Sequence, residues 1–345
     1  MVLAMVCLTI NAQQEDHKQS KKSLNTASCC ETECHCGSKI KAPISVMGSH
    51  THGKDGWMVS YRYMNMQMKD LRQGTDDVSN SDGHDAGYMM IPLEMSMDMH
   101  MVGVMYTPSD KLTLMSMFNF IGNSMDMQMR MMNGMTSESS MSSSSFGDVK
   151  ISGIYSFQKS MKKSLHGQLG FSLPTGSINQ KDVGAMSNGN EVILPYPMQI
   201  GSGTFDTDFA ITYVGNRSTF SWGHQLKTTL RFGENSNDYR LGNQYGLDNW
   251  LAVKLVDWLS VSGRVEGLII DKISGANPDL NPMMSLTADT ANSGGTFVNG
   301  GIGLNSYLFD SLQVAVEYEL PLYQDLNGIQ LKQQNAIMLG ATYGF

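Results

Sequence analysis

No apolar run in this sequence approaches the roughly 18 residues that a membrane-crossing helix needs, so a helical membrane protein is excluded. Positive charge is scarce, with 24 Lys and Arg against 32 Asp and Glu and a net charge of −8. That balance argues against a nucleic-acid partner, which calls for a basic stripe. Proline is modest at 9 residues, while 35 glycines suit an all-β chain with many turns. Catalytic signatures are missing too. There is no Gly-x-Ser-x-Gly elbow. By parity His166 and Ser172 fall on the polar face of their strand, and Asp206 and Asp208 read as loop or inner-face polar groups. An enzyme is therefore not expected. The acidic segment Asp76–Asp85 lacks EF-hand spacing and reads as a solvated loop.

Cysteine is confined to five positions, none with zinc-type spacing. Cys7 falls in residues 1–12, an apolar stretch that reads as an export signal ending near Ala12, although no Lys or Arg precedes it. Cys29, Cys30, Cys34 and Cys36 form an even set beside His35 in an exported chain. They suit disulfides or free thiols, and alternatively a soft-metal site. Residues 13–56 are polar and without period, and are expected to be a flexible periplasmic tail.

Methionine is what the chain has in excess. Of 29, 20 fall between Met58 and Met141. Met95, Met97, Met99, Met101 and Met105 recur at period two, as do Met115 and Met117 after the turn Thr107–Asp110. Met125, Met127, Met129 and Met131 continue the pattern. Helical spacing would scatter these side chains, whereas a strand puts residues i, i+2 and i+4 on one face. Each time methionine travels with the polar residues. Trp57, Val59, Tyr61 and Tyr63 oppose Met58, Ser60, Arg62, Met64, Met66 and Met68; Leu114 and Phe118 oppose Met115 and Met117. The strongly apolar face is the outside.

From Trp57 onward twelve stretches of about ten residues alternate in this way. They span about 57–68, 95–106, 111–121, 146–157, 165–173, 204–214, 219–232, 246–256, 259–270, 297–308, 311–320 and 335–345. The links alternate as well: short ones such as 107–110 and 257–258, long ones at 69–94, 122–145, 174–203, 233–245, 271–296 and 321–334. That is the pattern of a transmembrane antiparallel up-and-down β-barrel of about twelve strands over 57–345, closed because lipid cannot satisfy an open edge. Both termini then fall on the short-turn, periplasmic side. Arg62, Lys150, Arg264, Glu266 and Glu317 sit mid-strand on the polar face and are the candidate lumen groups for solute selectivity.

The last residues, LGATYGF, resemble the C-terminal signal by which bacterial outer-membrane barrels reach their insertion machinery; Tyr343 and Phe345 match it and Leu339 departs from it. WMVSYRYMNM, MSMDMHMVGVMYTPSDKLTLMSM, YPMQIGSGTFD and ELPLYQDLNG resemble outer-membrane proteins grouped with the phenol-degradation meta-pathway family and commonly labelled transporters. The resemblance covers about residues 47–345 and implies a twelve-stranded, pore-like barrel. The expected function is an outer-membrane channel for small solutes with a methionine-lined lumen and mouth, in contact with lipid and requiring no cofactor. The alternative is a soft-metal barrel. Thioethers select Cu(I) and, by the same softness, Ag(I). Its candidate ligands are Met95, Met97, Met99, Met101, Met115, Met117, Met125, Met127, Met129 and Met131, with His100 and the four tail cysteines; Met101 facing Met115 or Met117 would cluster their sulfurs.

Overall fold

The computed structural model describes residues 40–51, 53–184, 189–309 and 311–345, all within one compact unit, Cys36–Phe345. The wall begins with β1 (Trp57–Gly74), followed outside it by β2 (Asp76–Val78) and the short helix α1 (Asn80–Asp85). Next come β3 (Met90–Ser109), β4 (Leu112–Arg130), β5 (Thr136–Phe146), β6 (Val149–Lys159) and β7 (Lys163–Leu173). A loop carrying β8 (Lys181–Val183) and β9 (Glu191–Ile193) leads to β10 (Phe205–Asn216) and β11 (Phe220–Phe232). After β12 (Tyr239–Arg240) the wall resumes with β13 (Gln244–Val256) and β14 (Leu259–Ile270). β15 (Ser274–Gly275) precedes the last wall elements, β16 (Gly295–Tyr307) and β17 (Leu312–Gly344).

Hydrogen bonding runs β17-β16-β14-β13-β11-β10-β7-β6-β4-β3-β1 and back to β17, which closes the sheet on itself. Eleven elements close this ring, yet every neighbouring pair is antiparallel, and an antiparallel ring needs an even number of staves. β17 resolves the parity by supplying two. Its first arm pairs with β16 up to Leu326, its second with β1 from Leu326 to Gly344. The arms meet at the base, where the Gly344 N–H donates to Ser311 O (3.0 Å), and near the top, where the Gln333 N–H donates to Gln324 Oε1 (2.9 Å). The reversal is at Asn327-Gly328, with Gly328 at φ 67°, a conformation glycine adopts without strain. Twelve staves result, as expected.

The faces follow the alternation. Val59, Tyr61, Leu114, Phe118, Ile211 and Leu226 are exposed on the outer wall, while Met58, Ser60, Thr113, Met115, Thr212 and Gln225 are buried inside. Aromatic pairs ring the short-turn end, including Trp57 on Tyr106 and Tyr155 on Phe157.

Two expected long loops are strand instead, and a third is strand at both of its ends. Residues 122–145 are a tall hairpin: β4 runs to Arg130, and β5 returns along it before β6 continues the same stave below Gly147 and Asp148. Residues 321–334 are the continuous upper part of β17, turning in two residues. Within 69–94, β1 runs to Gly74 and β3 starts at Met90. The remaining long loops interlock across their end of the barrel. β12 pairs with β15, and Tyr196 packs edge-on against Tyr239, whose phenol burial pushes up to about 12. Tyr88 donates to Asp289 and accepts from Asn292.

The described part of the expected tail is also not free. Residues 40–51 run into the barrel from the short-turn end and bury Ile40, Ile44 and Val46 there. Apolar side chains so placed leave water, which offsets the ordering of the segment.

Candidate functional site

The barrel interior has two unlike walls with the segment 40–51 between them. The ionic wall lies on β6 through the first arm of β17. Arg264 is at its centre. Its Nε donates to Glu317 Oε1 (2.8 Å) and its Nη1 to Asp248 Oδ1 (2.8 Å), with Glu266 Oε2 at 3.3 Å and Glu319 against Nη2. Reaching β17 from β14 means crossing β16, and glycine there permits it: a Cβ on Gly301 would sit 2.6 Å from Glu317 Oε1. Lys227 Nζ bridges Asp248 (2.8 Å) and Glu266 (2.6 Å). Further round, Lys150 pairs with Asp208 (3.1 Å), which also accepts from Thr229 Oγ1 (2.5 Å), and Arg231 with Asp206 (3.2 Å). Six carboxylates and four cations thus share this wall, joined by charge-assisted hydrogen bonds.

The opposite wall, β1, β3 and β4, is thioether. Met58, Met105 and Met115 pack with Ile154 and Met117 low in the barrel. At the long-loop end Met95, Met125, Met127, Met141 and Met198 pack with Leu194, and Met68, Met90 and Leu331 lie against them.

The inserted segment is fastened mainly to the ionic side. Ser45 donates to Glu317 Oε2 through its N–H (3.0 Å) and its hydroxyl (2.7 Å). His166 Nε2 donates to Gly48 O (2.8 Å) and Gln225 Nε2 to Met47 O (2.8 Å). On the other side Arg62 Nη1 meets Met47 Sδ, and Gly340 gives Ile44 room beside β17. A cavity of about 20 Å³, water-sized, remains between Lys41, Val46, Arg62 and Ala315.

Of the residues expected in the lumen, Arg264, Glu266 and Glu317 are brought into one network, Lys150 lies further along it, and Arg62 stands apart on the thioether side. Lys227, a mid-strand charge on the polar face by alternation, joins the ionic wall, and Asp248, Glu319 and Arg231 complete it without having been singled out by sequence; alternation assigns a face, not a partner. The soft-metal candidates divide. Met95, Met125 and Met127 converge, Met115 and Met117 belong to the lower cluster, and Met129 lies opposite Met90. Met131 is exposed in the turn after β4. Met97 faces Asn123, Met99 faces Ile121, and Met101 faces Asn119 rather than Met115 or Met117; it is Met105 that meets Met115. His100 is not with the sulfurs. Its ring is on the outer wall, hydrogen-bonded to Tyr61 Oη (2.8 Å) and packed on Tyr63. Cys29, Cys30, Cys34 and Cys36 lie outside the described residues.

The chain is similar in fold to an outer-membrane channel from Pseudomonas putida F1, with a TM-score of 0.61 and 12% identity over 88% of this chain and 100% of that one. Weaker likenesses include the translocator domain of the autotransporter NalP from Neisseria meningitidis (TM-score 0.44, 9% identity, 86% of this chain and 90% of that one). The porin NanC is another (0.41, 8%, 81% and 98%). This chain has the outer-membrane barrel fold. No family model and no curated relative matches the sequence, so the expected phenol meta-pathway grouping has no support beyond that fold.

Proposed function

We propose that the chain is an outer-membrane channel for small solutes, held closed by its own residues 40–51, with its termini on the periplasmic side. One observation carries this reading: the inserted segment meets the wall through hydrogen bonds that include those at Ser45, Met47, Gly48 and Thr51, around a remaining water-sized cavity. Such bonds contribute about 0.5–1.5 kcal/mol each, or about 1.5–3 to a charged group. Together with the burial of Ile40, Ile44 and Val46 they hold the segment, which among the described residues has no strand-ladder tie to the wall. A passing solute then moves between an ionic and a thioether wall, and pore size and local charge set selectivity. No enzymatic role is proposed. The His166 imidazole is occupied in holding Gly48 instead of activating a hydroxyl.

Single-channel recording in planar bilayers tests the proposal. The parent should show small or rare openings. Removing residues 40–51 should give a large, steady conductance, and Ser45→Ala with Gln225→Ala should give more frequent openings. Heat-modifiable migration on gels verifies folding of each variant. Equal conductance in parent and both variants would refute occlusion by this segment.

A further inference from the structure

Four methionines form one unbroken row across adjacent staves: Met68 on β1 faces Met95 on β3, which faces Met125 on β4, which faces Met141 on β5. Directly opposed residues on neighbouring antiparallel strands hold their Cβ atoms about 4.5–5.5 Å apart, a spacing that lets adjacent thioethers share one ion. Met127 and Met198, both fully buried, pack onto the row, and Met198 comes from the loop above it, pinned where Ser143 Oγ donates to its carbonyl (2.7 Å). With Met90, seven methionines converge, and among the described residues Leu194 and Leu331 complete the cluster.

Packing alone does not call for this composition. Leucine fills a similar volume with fewer rotamers and specifies a core better, and methionine serves ordinary cores as an occasional gap-filler. What seven methionines supply and leucines do not is sulfur. Among the described residues no three His, Cys, Asp or Glu side chains converge to hold a hard or borderline cation. We propose that this cluster, centred on Met95, Met125 and Met141 and capped by Met198, binds a soft monovalent cation, Cu(I) or Ag(I). Thioethers select such ions over Zn²⁺, Mg²⁺ and Ca²⁺. They also carry no proton to lose, so binding here is independent of pH, whereas thiolate and imidazole sites weaken in acid. The site stands whether or not the barrel conducts.

The test uses the full folded chain in detergent, titrated with silver nitrate in chloride-free buffer and read by calorimetry and native mass spectrometry at about pH 5.5 and about pH 7.5. The parent should bind at least one Ag(I) whose affinity is the same at both pH values, and excess Zn²⁺ should not displace it. The quadruple variant M68L/M95L/M125L/M141L should lose that equivalent while keeping any pH-dependent binding by the cysteines. If the quadruple variant does not fold, Met125→Leu and Met141→Leu singly should each weaken the pH-independent equivalent at least tenfold. Unchanged stoichiometry and affinity in the folded variants, or a parent whose every Ag(I) is lost on acidification, overturns the site.

Discussion

Two adjacent residues of β11 summarise what the wall asks of a side chain. Leu226 is exposed on the outside, in a row with Ile211 and Leu247, while Lys227 is turned inward onto Asp248 and Glu266. Leu226→Arg should cost about 2–4 kcal/mol of barrel stability, as a charge at mid-membrane does. Thr229→Lys, two positions along on the inner face beside Asp208, should cost far less. Urea titration of the barrel folded in lipid vesicles measures both; equal losses would contradict the faces. Arg264 is the second critical residue. Arg264→Met leaves Glu317, Glu319, Asp248 and Glu266 without their common partner and should cost about 3–5 kcal/mol. Adding Glu317→Gln should restore part of that, because one uncompensated charge is gone. A double variant as unstable as the sum of the two single ones would mean the pair does not couple. At this scale the sequence was informative about orientation. The period-two pattern put methionine inside with Ser, Arg and Lys, correctly for both walls. It could not show that Arg264 reaches over Gly301 to Glu317, because that contact depends on which strand lies two places away.

Among the elements, the staves were legible and their heights were not. Polar residues such as Asp126, Gln128 and Ser140 look like loop by composition, yet they pair in register, Asp126 with Ser140 and Gln128 with Glu138, on the hairpin face turned away from the buried methionine cluster. The turn of β17 carried a plain signal, since Asn-Gly between alternating segments is a strong hairpin mark. Gly328→Val should show its worth: a β-branched residue at φ 67° costs about 1–2 kcal/mol from backbone strain alone. Its Cβ would also stand 2.2 Å from Asn292 Oδ1. The expected readout is a lower yield of heat-modifiable barrel on refolding, and an undiminished yield would contradict a strained turn. Beside the methionine row, β8 is tied to β5 through Asp182, which accepts from Ser142 next to Met141. The N–H groups of Ser142 and Val183 hold the Asp182 carboxyl below the usual carboxylate range. A carboxylate so held stabilises fully above its ordinary value of 3.8 and loses that contribution as pH falls through the lower folded one. Peroxide oxidation of Met141, followed by peptide mass spectrometry, should therefore be slow near neutrality and faster in strong acid, and Asp182→Ala should be fast at both. A rate unaffected by either change would detach Asp182 from the cover of Met141.

For the whole molecule, closure was readable because two independent patterns agreed: even alternation and alternating link lengths. The structure gives Phe345 a mechanical part in it. Trp57 and Phe345 exchange two backbone hydrogen bonds of 2.9 Å, the last rungs of the seam between first and last staves. Deleting Phe345 removes both and should slow insertion, seen as delayed appearance of the heat-modifiable form in outer-membrane fractions, with export unaffected. Unchanged kinetics would make the terminal aromatic dispensable. The occluding segment was the main feature missed. Residues 40–51 have no period, and only the closeness of Ile40, Ile44 and Val46 hinted that they need cover. Their cover is assembled from strands hundreds of residues away, and no local pattern encodes that.

The seam also fixes an order in time. Arg62, which touches Met47, belongs to the first stave, whereas Glu317, which fastens Ser45, comes with β17, the element that closes the ring. Until that stave arrives, every partial sheet has two raw edges and the inserted segment has only half its socket. No early fragment of this chain can be a smaller finished barrel. The inserted segment therefore gains its full socket in the same event that completes the frame.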